Sequence, residues 1–94
     1  MTGSRTSWYL YMVACADGRL YTGISTDPQR RFAEHCAGGA KSAKALRGKG
    51  PLTLVFTQQV GSRSAALSAE YRLKQLNRLQ KLKVIDACYF ALES

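Results

Sequence analysis

Cysteine and acidic side chains are scarce in this 94-residue chain, and long apolar runs are missing. Its three cysteines, Cys15, Cys36 and Cys88, are odd in number and widely spaced, with no Cys-x-x-Cys pair and no Cys/His tetrad. That argues against a zinc site and points to a reducing compartment. No stretch of 18 apolar residues occurs, so no membrane-spanning helix is expected. No internal repeat and no linker is visible, and the length suits a single domain over residues 1–94 with one modest core. Hydrophobic residues at 46% and charged residues at 21% are globular rather than disordered proportions.

Six Asp and Glu face 14 Lys and Arg, leaving a net charge of +8. An excess of that size on so small a domain favours a polyanionic partner, nucleic acid or an anionic membrane. Twelve of the basic residues and two of the acidic ones fall within residues 29–83. The charge therefore belongs to the middle and later elements, as on a binding face rather than a tail. Arg5, the apolar residues 8–14 and Ala14-Cys15-Ala16 loosely imitate a secretory leader. The run is short, carries Tyr9 and Tyr11, and leads straight into a turn, so an intact, cytoplasmic chain is expected.

Residues 8–14 (WYLYMVA) have strand composition, Asp17-Gly18 signals a hairpin, and residues 19–24 (RLYTGI) return as a second strand. Strand alternation puts Leu10 and Met12 on one face and Tyr9, Tyr11 and Val13 on the other; in the second strand Leu20, Thr22 and Ile24 oppose Tyr21 and Gly23, and a matching register brings Tyr11 and Tyr21 side by side. Asp27 and Pro28 begin a helix that runs to about Ala37, where Gly38-Gly39 stops it. Phe32 and Cys36 are its expected buried stripe, and Arg31 and His35, four apart, share another face.

Residues 38–51 form a basic, Gly-rich segment with a short helical turn expected near 43–47. Gly48-Lys49 is followed by Gly50 rather than Ser or Thr, which excludes a nucleotide P-loop. Residues 52–60 read as a third strand. Ser62 or Ser64 caps a helix over about 65–76 with Ala66, Ala69, Leu73 and Leu76 as its apolar stripe and Glu70 on the border. Asn77 precedes a last helix through Leu79, Leu82 and Ile85. The fold class is α+β, a small antiparallel three-stranded sheet flanked by helices in the order β-β-α-β-α-α.

Tyr9-Leu10-Tyr11, then Tyr21-Thr22-Gly23, then Arg31 and His35, then Glu70 on a later helix together resemble the GIY-YIG nuclease domain, in particular its small single-domain bacterial branch. Each tripeptide alone is weak; their joint spacing behind an Asp-Gly hairpin carries the likeness across nearly the whole chain. Tyr9 and Leu10 stand where the family has Gly and Ile, and Thr22 replaces Ile. The only Asn, Asn77, comes seven residues after Glu70 and reads as a helix cap rather than the family's late Asn.

The resemblance implies a metal-dependent endonuclease that hydrolyses phosphodiester bonds in DNA, with DNA repair or processing as its setting. It implies Tyr11 as general base with Tyr21 beside it, Arg31 on the non-bridging phosphate oxygens, His35 near the phenols, and Glu70 holding one Mg²⁺ or Mn²⁺. A phenol of pKa about 10 costs about 4 kcal/mol to hold ionised at pH 7, and Arg31 and His35 are expected to lower that cost. Tyr9 is expected only to pack, and Glu34 and Arg30 to be solvated. Glu70 has Lys74 four residues on as an alternative partner. Gly23 makes room either for the phosphate backbone or for tight packing.

Lys41, Lys44, Arg47 and Lys49 are the expected phosphate contacts, with Arg72, Lys74, Arg78, Lys81 and Lys83 as lesser ones. Such contacts give affinity without sequence choice, so low sequence specificity is expected. The alternative is a nucleic-acid-binding module that keeps the fold without cleaving. No membrane partner and no obligate protein partner is expected, because the last two helices mix their charges with core-facing residues.

Overall fold

A computed structural model describes residues 7–38 and 43–92. The elements run β1 (Trp8–Ala14), β2 (Leu20–Ser25), α1 (Pro28–Ala37), a 3₁₀ turn (Lys44–Leu46), β3 (Thr53–Gly61), α2 (Arg63–Lys74) and α3 (Arg78–Ala87). The α+β class and the β-β-α-β-α-α order are those the sequence predicts. The sheet is antiparallel throughout with strand order β2-β1-β3, so β1 is central.

Local chemistry accounts for the element ends. At the hairpin, Gly18 sits at φ 90° and its amide donates to the Cys15 carbonyl. Only glycine enters that region without a steric cost. The Asp27 carboxylate caps α1 by accepting the Arg30 amide, with Pro28 in the first turn. Ser62, not Ser64, caps α2, so that helix starts and stops two residues earlier than expected. Asn77 forms a full capping box with Gln80, which accounts for this residue by local structure alone.

Because β1 is covered on both faces, the core divides in two. Leu10, Met12, Phe56, Ala69, Leu73 and Phe90 pack on the face under α2 and α3. Tyr11, Val13, Cys15 and Leu46 pack on the face under α1, with Phe32 and Leu54 beside them. A register shift in β3 pairs Phe56 with Met12 and Leu54 with Val13, leaving Val55 between them. This extra residue resets the alternation, so Val55 and Phe56 join one cluster while Leu54 joins the other.

The packing of two helices differs from what the sequence suggests. Cys36 is exposed; the buried residues of α1 are Pro28 and His35, because α1 turns its His35 face, not its Cys36 face, to the sheet. Leu79 and Leu82 are exposed at 63% and 39%, and α3 meets the core through Val84 and Ile85 instead. Residues 88–92 decide this arrangement. Phe90 inserts into the core, its backbone exchanges two hydrogen bonds with the Gln58 amide side chain, and Arg72 donates to the carbonyls of Ala91 and Leu92.

Candidate active site

Tyr11 is 1% exposed on the central strand, directly opposite Gly23 of β2. A Cβ built on Gly23 would stand 2.6 Å from the Tyr11 phenol oxygen. The group that approaches Gly23 is therefore the Tyr11 ring, which lies across the glycine. Tyr21 pairs with Val13, one step along the same face, and its ring centroid is 6.3 Å from that of Tyr11.

His35 reaches the same point from α1. Its Nε2 is 3.0 Å from the Tyr11 oxygen, and its Nδ1 accepts the backbone N–H of Ala43 at 3.2 Å. Tyr21 stacks edge-on against the imidazole at 5.6 Å between centroids. At 2% exposure His35 is buried, and burial, aided by the Arg31 charge and opposed by Glu34, lowers its pKa. Arg31, one turn earlier on α1, is close enough to the Tyr11 phenol for its charge to favour the ionised form, and it donates to Glu34 Oε1 at 3.0 Å. Glu34 is half-buried and also faces Arg30, rather than being a solvated charge. It orients the guanidinium that meets Tyr11.

The electrostatic expectation for Tyr11 is reversed. Its pKa is pushed up to about 12, first by burial and then by Tyr21, with a contribution from Glu70. Arg31 pulls it down by charge and hydrogen bonding, but burial outweighs this. Glu70 lies on the border of the buried stripe of α2, close enough to act on Tyr11, with Lys74 Nζ 3.4 Å from its Oε2. A single carboxylate fits Mg²⁺ or Mn²⁺, which keep several waters and take further oxygens from a substrate phosphate; it does not fit zinc. Among the described residues no group of three His, Cys, Asp or Glu forms a metal cage.

The basic residues fall into two sets. Lys44 and Arg47 are exposed on the turn that follows Ala43, and Arg47 lines a cavity of about 450 Å³ with His35 and Leu52. Lys49 is half-buried, and its carbonyl ties this segment to Ala16 at the end of β1. Lys41 lies outside the described residues. Of the lesser candidates, Arg72 is committed to the carbonyls of residues 91 and 92, Arg78 to the Gly18 carbonyl, and Lys74 to Glu70. The Ala43 amide is not legible in the sequence, and Glu34 is expected there only as a solvated charge. Glu34 had a signal, its spacing from Arg31 and Arg30, whereas a backbone amide has none.

A model of the GIY-YIG catalytic domain family matches residues 7–83. A UPF0213 protein of Cronobacter sakazakii is 62% identical over 78 residues, covering 83% of this chain and 80% of that one. The UPF0213 protein YhbQ of Escherichia coli K12 is 58% identical over 80 residues, covering 85% and 78%. Among structures solved by NMR, a UPF0213 protein from Bacillus halodurans matches with TM-score 0.55 at 40% identity, over 86% of this chain and 84% of that one. A protein from E. faecalis matches with TM-score 0.58 at 31% identity, over 96% and 97%.

Proposed function

The chain belongs to the GIY-YIG catalytic domain family, and from that membership we propose that it is a divalent-metal-dependent endonuclease hydrolysing phosphodiester bonds in DNA with little sequence preference. The observation that carries the proposal is the His35 imidazole on the Tyr11 phenol oxygen, with the Arg31 and Glu70 charges acting on that same phenol.

In this reading the Tyr11 oxygen takes a proton from the attacking water. The water oxygen bonds to phosphorus as the bond to the 3′ oxygen breaks. Arg31 carries the charge that develops on the non-bridging oxygens, its planar fork held in place by Glu34. Glu70 would hold the metal. Bound there, the ion would supply positive charge for the leaving oxygen and offset the carboxylate's upward push on Tyr11. That push matters. At a pKa of about 12, roughly one Tyr11 in 10⁵ is ionised at pH 7, a cost of about 7 kcal/mol. Lys44, Arg47 and Lys49 would track the phosphate backbone, with Lys41 as a further contact.

The same raised pKa and the Lys74 pairing of Glu70 favour a second reading, a nucleic-acid-binding module that does not cleave. Nicking of supercoiled plasmid separates the two. The nuclease nicks with Mg²⁺ or Mn²⁺, stops with chelator, and loses activity in Glu70→Ala while retaining DNA binding. Salt-sensitive binding without metal-dependent nicking establishes the module instead.

A further inference from the structure

The histidine at the centre of this cluster is held from both sides. A neutral imidazole has one donor nitrogen and one acceptor nitrogen, and which is which depends on what each one faces. Nδ1 of His35 faces the Ala43 amide, which only donates. Nδ1 is therefore the acceptor, and the ring proton sits on Nε2, the nitrogen aimed at the Tyr11 oxygen.

We propose that the Ala43 backbone amide is a positioning group for Tyr11: it holds His35 in the tautomer that donates from Nε2 to the phenol oxygen, and so couples the basic turn at residues 44–47 to the orientation of the general base. The role of Tyr11 as base rests on the function proposed above; the tautomer does not.

Two consequences follow for the reaction. First, His35 gives a hydrogen bond to Tyr11 and does not receive its proton. The Tyr11 oxygen then accepts from His35, which leaves its own O–H pointing away from the imidazole. On ionisation, that direction is where a water would be met. Second, Ala43 directly precedes Lys44 and lies three residues from Leu46, whose amide it accepts to start the 3₁₀ turn. A phosphate drawn to Lys44 and Arg47 lands on the segment that sets the imidazole. Backbone seating and base orientation become one event.

The chain has a single histidine, so its imidazole nitrogen spectrum is unambiguous. In the wild-type protein at neutral pH, two-bond proton–nitrogen correlation is expected to show a protonated Nε2 and an unprotonated Nδ1. A protonated Nδ1 overturns the proposal, whether or not the protein cleaves DNA. Ala43 has φ −61° and ψ 139°, which a proline ring adopts, so Ala43→Pro deletes the amide proton with little change of backbone shape. In that variant the tautomers are expected to mix and kcat to fall by about tenfold or more, with KM and metal-free DNA binding unchanged. Ala43→Gly, which keeps the amide, should match wild type in spectrum and rate. If Ala43→Pro keeps both the wild-type tautomer and the wild-type kcat, the coupling is absent. If that variant does not fold, the wild-type spectrum alone decides the tautomer, and kcat in a backbone-ester substitution at Ala43 decides the coupling.

Discussion

Tyr11 and Gly23 occupy directly opposed positions on β1 and β2, and the phenol of one fills the space where the side chain of the other would be. A methyl group on Gly23 would overlap both the phenol oxygen and the ring carbon that bears it, at 2.6 and 2.7 Å. Gly23→Ala should therefore push the phenol off His35, costing about 1–3 kcal/mol of stability by overpacking. Cleavage should fall by about 100-fold. Denaturant unfolding and plasmid nicking measured on the same preparation check both effects; unchanged nicking would show that the phenol need not sit where it does.

Arg31→Ala should abolish cleavage, and Arg31→Lys should fail to restore it, because a point charge cannot serve Glu34 and Tyr11 together as a fork does. Glu34→Gln should leave about a tenth of the activity, since it weakens the hold on the guanidinium without removing it. Single-turnover rates at saturating enzyme give this ranking directly.

Stability should depend on pH at both ends. The folded pKa of Tyr11, about 12, is above the free-phenol value, so folding favours the neutral phenol. That contribution is whole below pH 10 and disappears as pH rises through 12, a loss of about 2–3 kcal/mol. His35 is shifted the other way, so folding favours its neutral ring. Its contribution is whole above about pH 6.5 and is lost as pH falls below that. Melting temperature is therefore expected to plateau between about pH 7 and 10, and Tyr11→Phe should extend the alkaline limit. If Tyr11 is the base, the logarithm of the cleavage rate should rise with pH across this plateau.

Thr22 is 3% exposed on β2, opposite Met12, and its hydroxyl has no hydrogen-bond partner among the described residues. Thr22→Val keeps the shape and removes a buried polar group, so it should stabilise the fold by about 1–2 kcal/mol. Chemical denaturation measures the change; a loss of stability would mean that the hydroxyl has a partner in solution.

Phe90 is 8% exposed although it lies beyond the last helix, and Arg72 stacks over its ring at 5.1 Å. Phe90→Ala should cost about 3–5 kcal/mol, as for other buried aromatic residues. Arg72→Ala should destabilise less and leave DNA affinity nearly unchanged, because its guanidinium is engaged by the chain's own carbonyls. Lys44→Ala combined with Arg47→Ala should do the reverse, weakening DNA binding and flattening its salt dependence at constant stability.

Much of this molecule is legible along the chain because the signals act over a few residues. Asp27-Pro28, Ser62 and Asn77 each satisfy amides within one helical turn, so caps and element order can be read without a fold. The alternation of β1 likewise separates Leu10 and Met12 from Tyr11 and Val13 before any partner is known. What spacing leaves open is which of several amphipathic faces meets the sheet. The His35 side of α1 went inward instead of Cys36, and on the opposite face of the sheet Phe90 joined the core, which α3 meets through Val84 and Ile85 rather than Leu79 and Leu82. The state of Tyr11 lies further still from the residue order. Its proton affinity is a sum over burial, two nearby aromatic and carboxylate groups, and one guanidinium. Such a sum depends on distances in space, and elements far apart in the chain acquire those distances only when they pack.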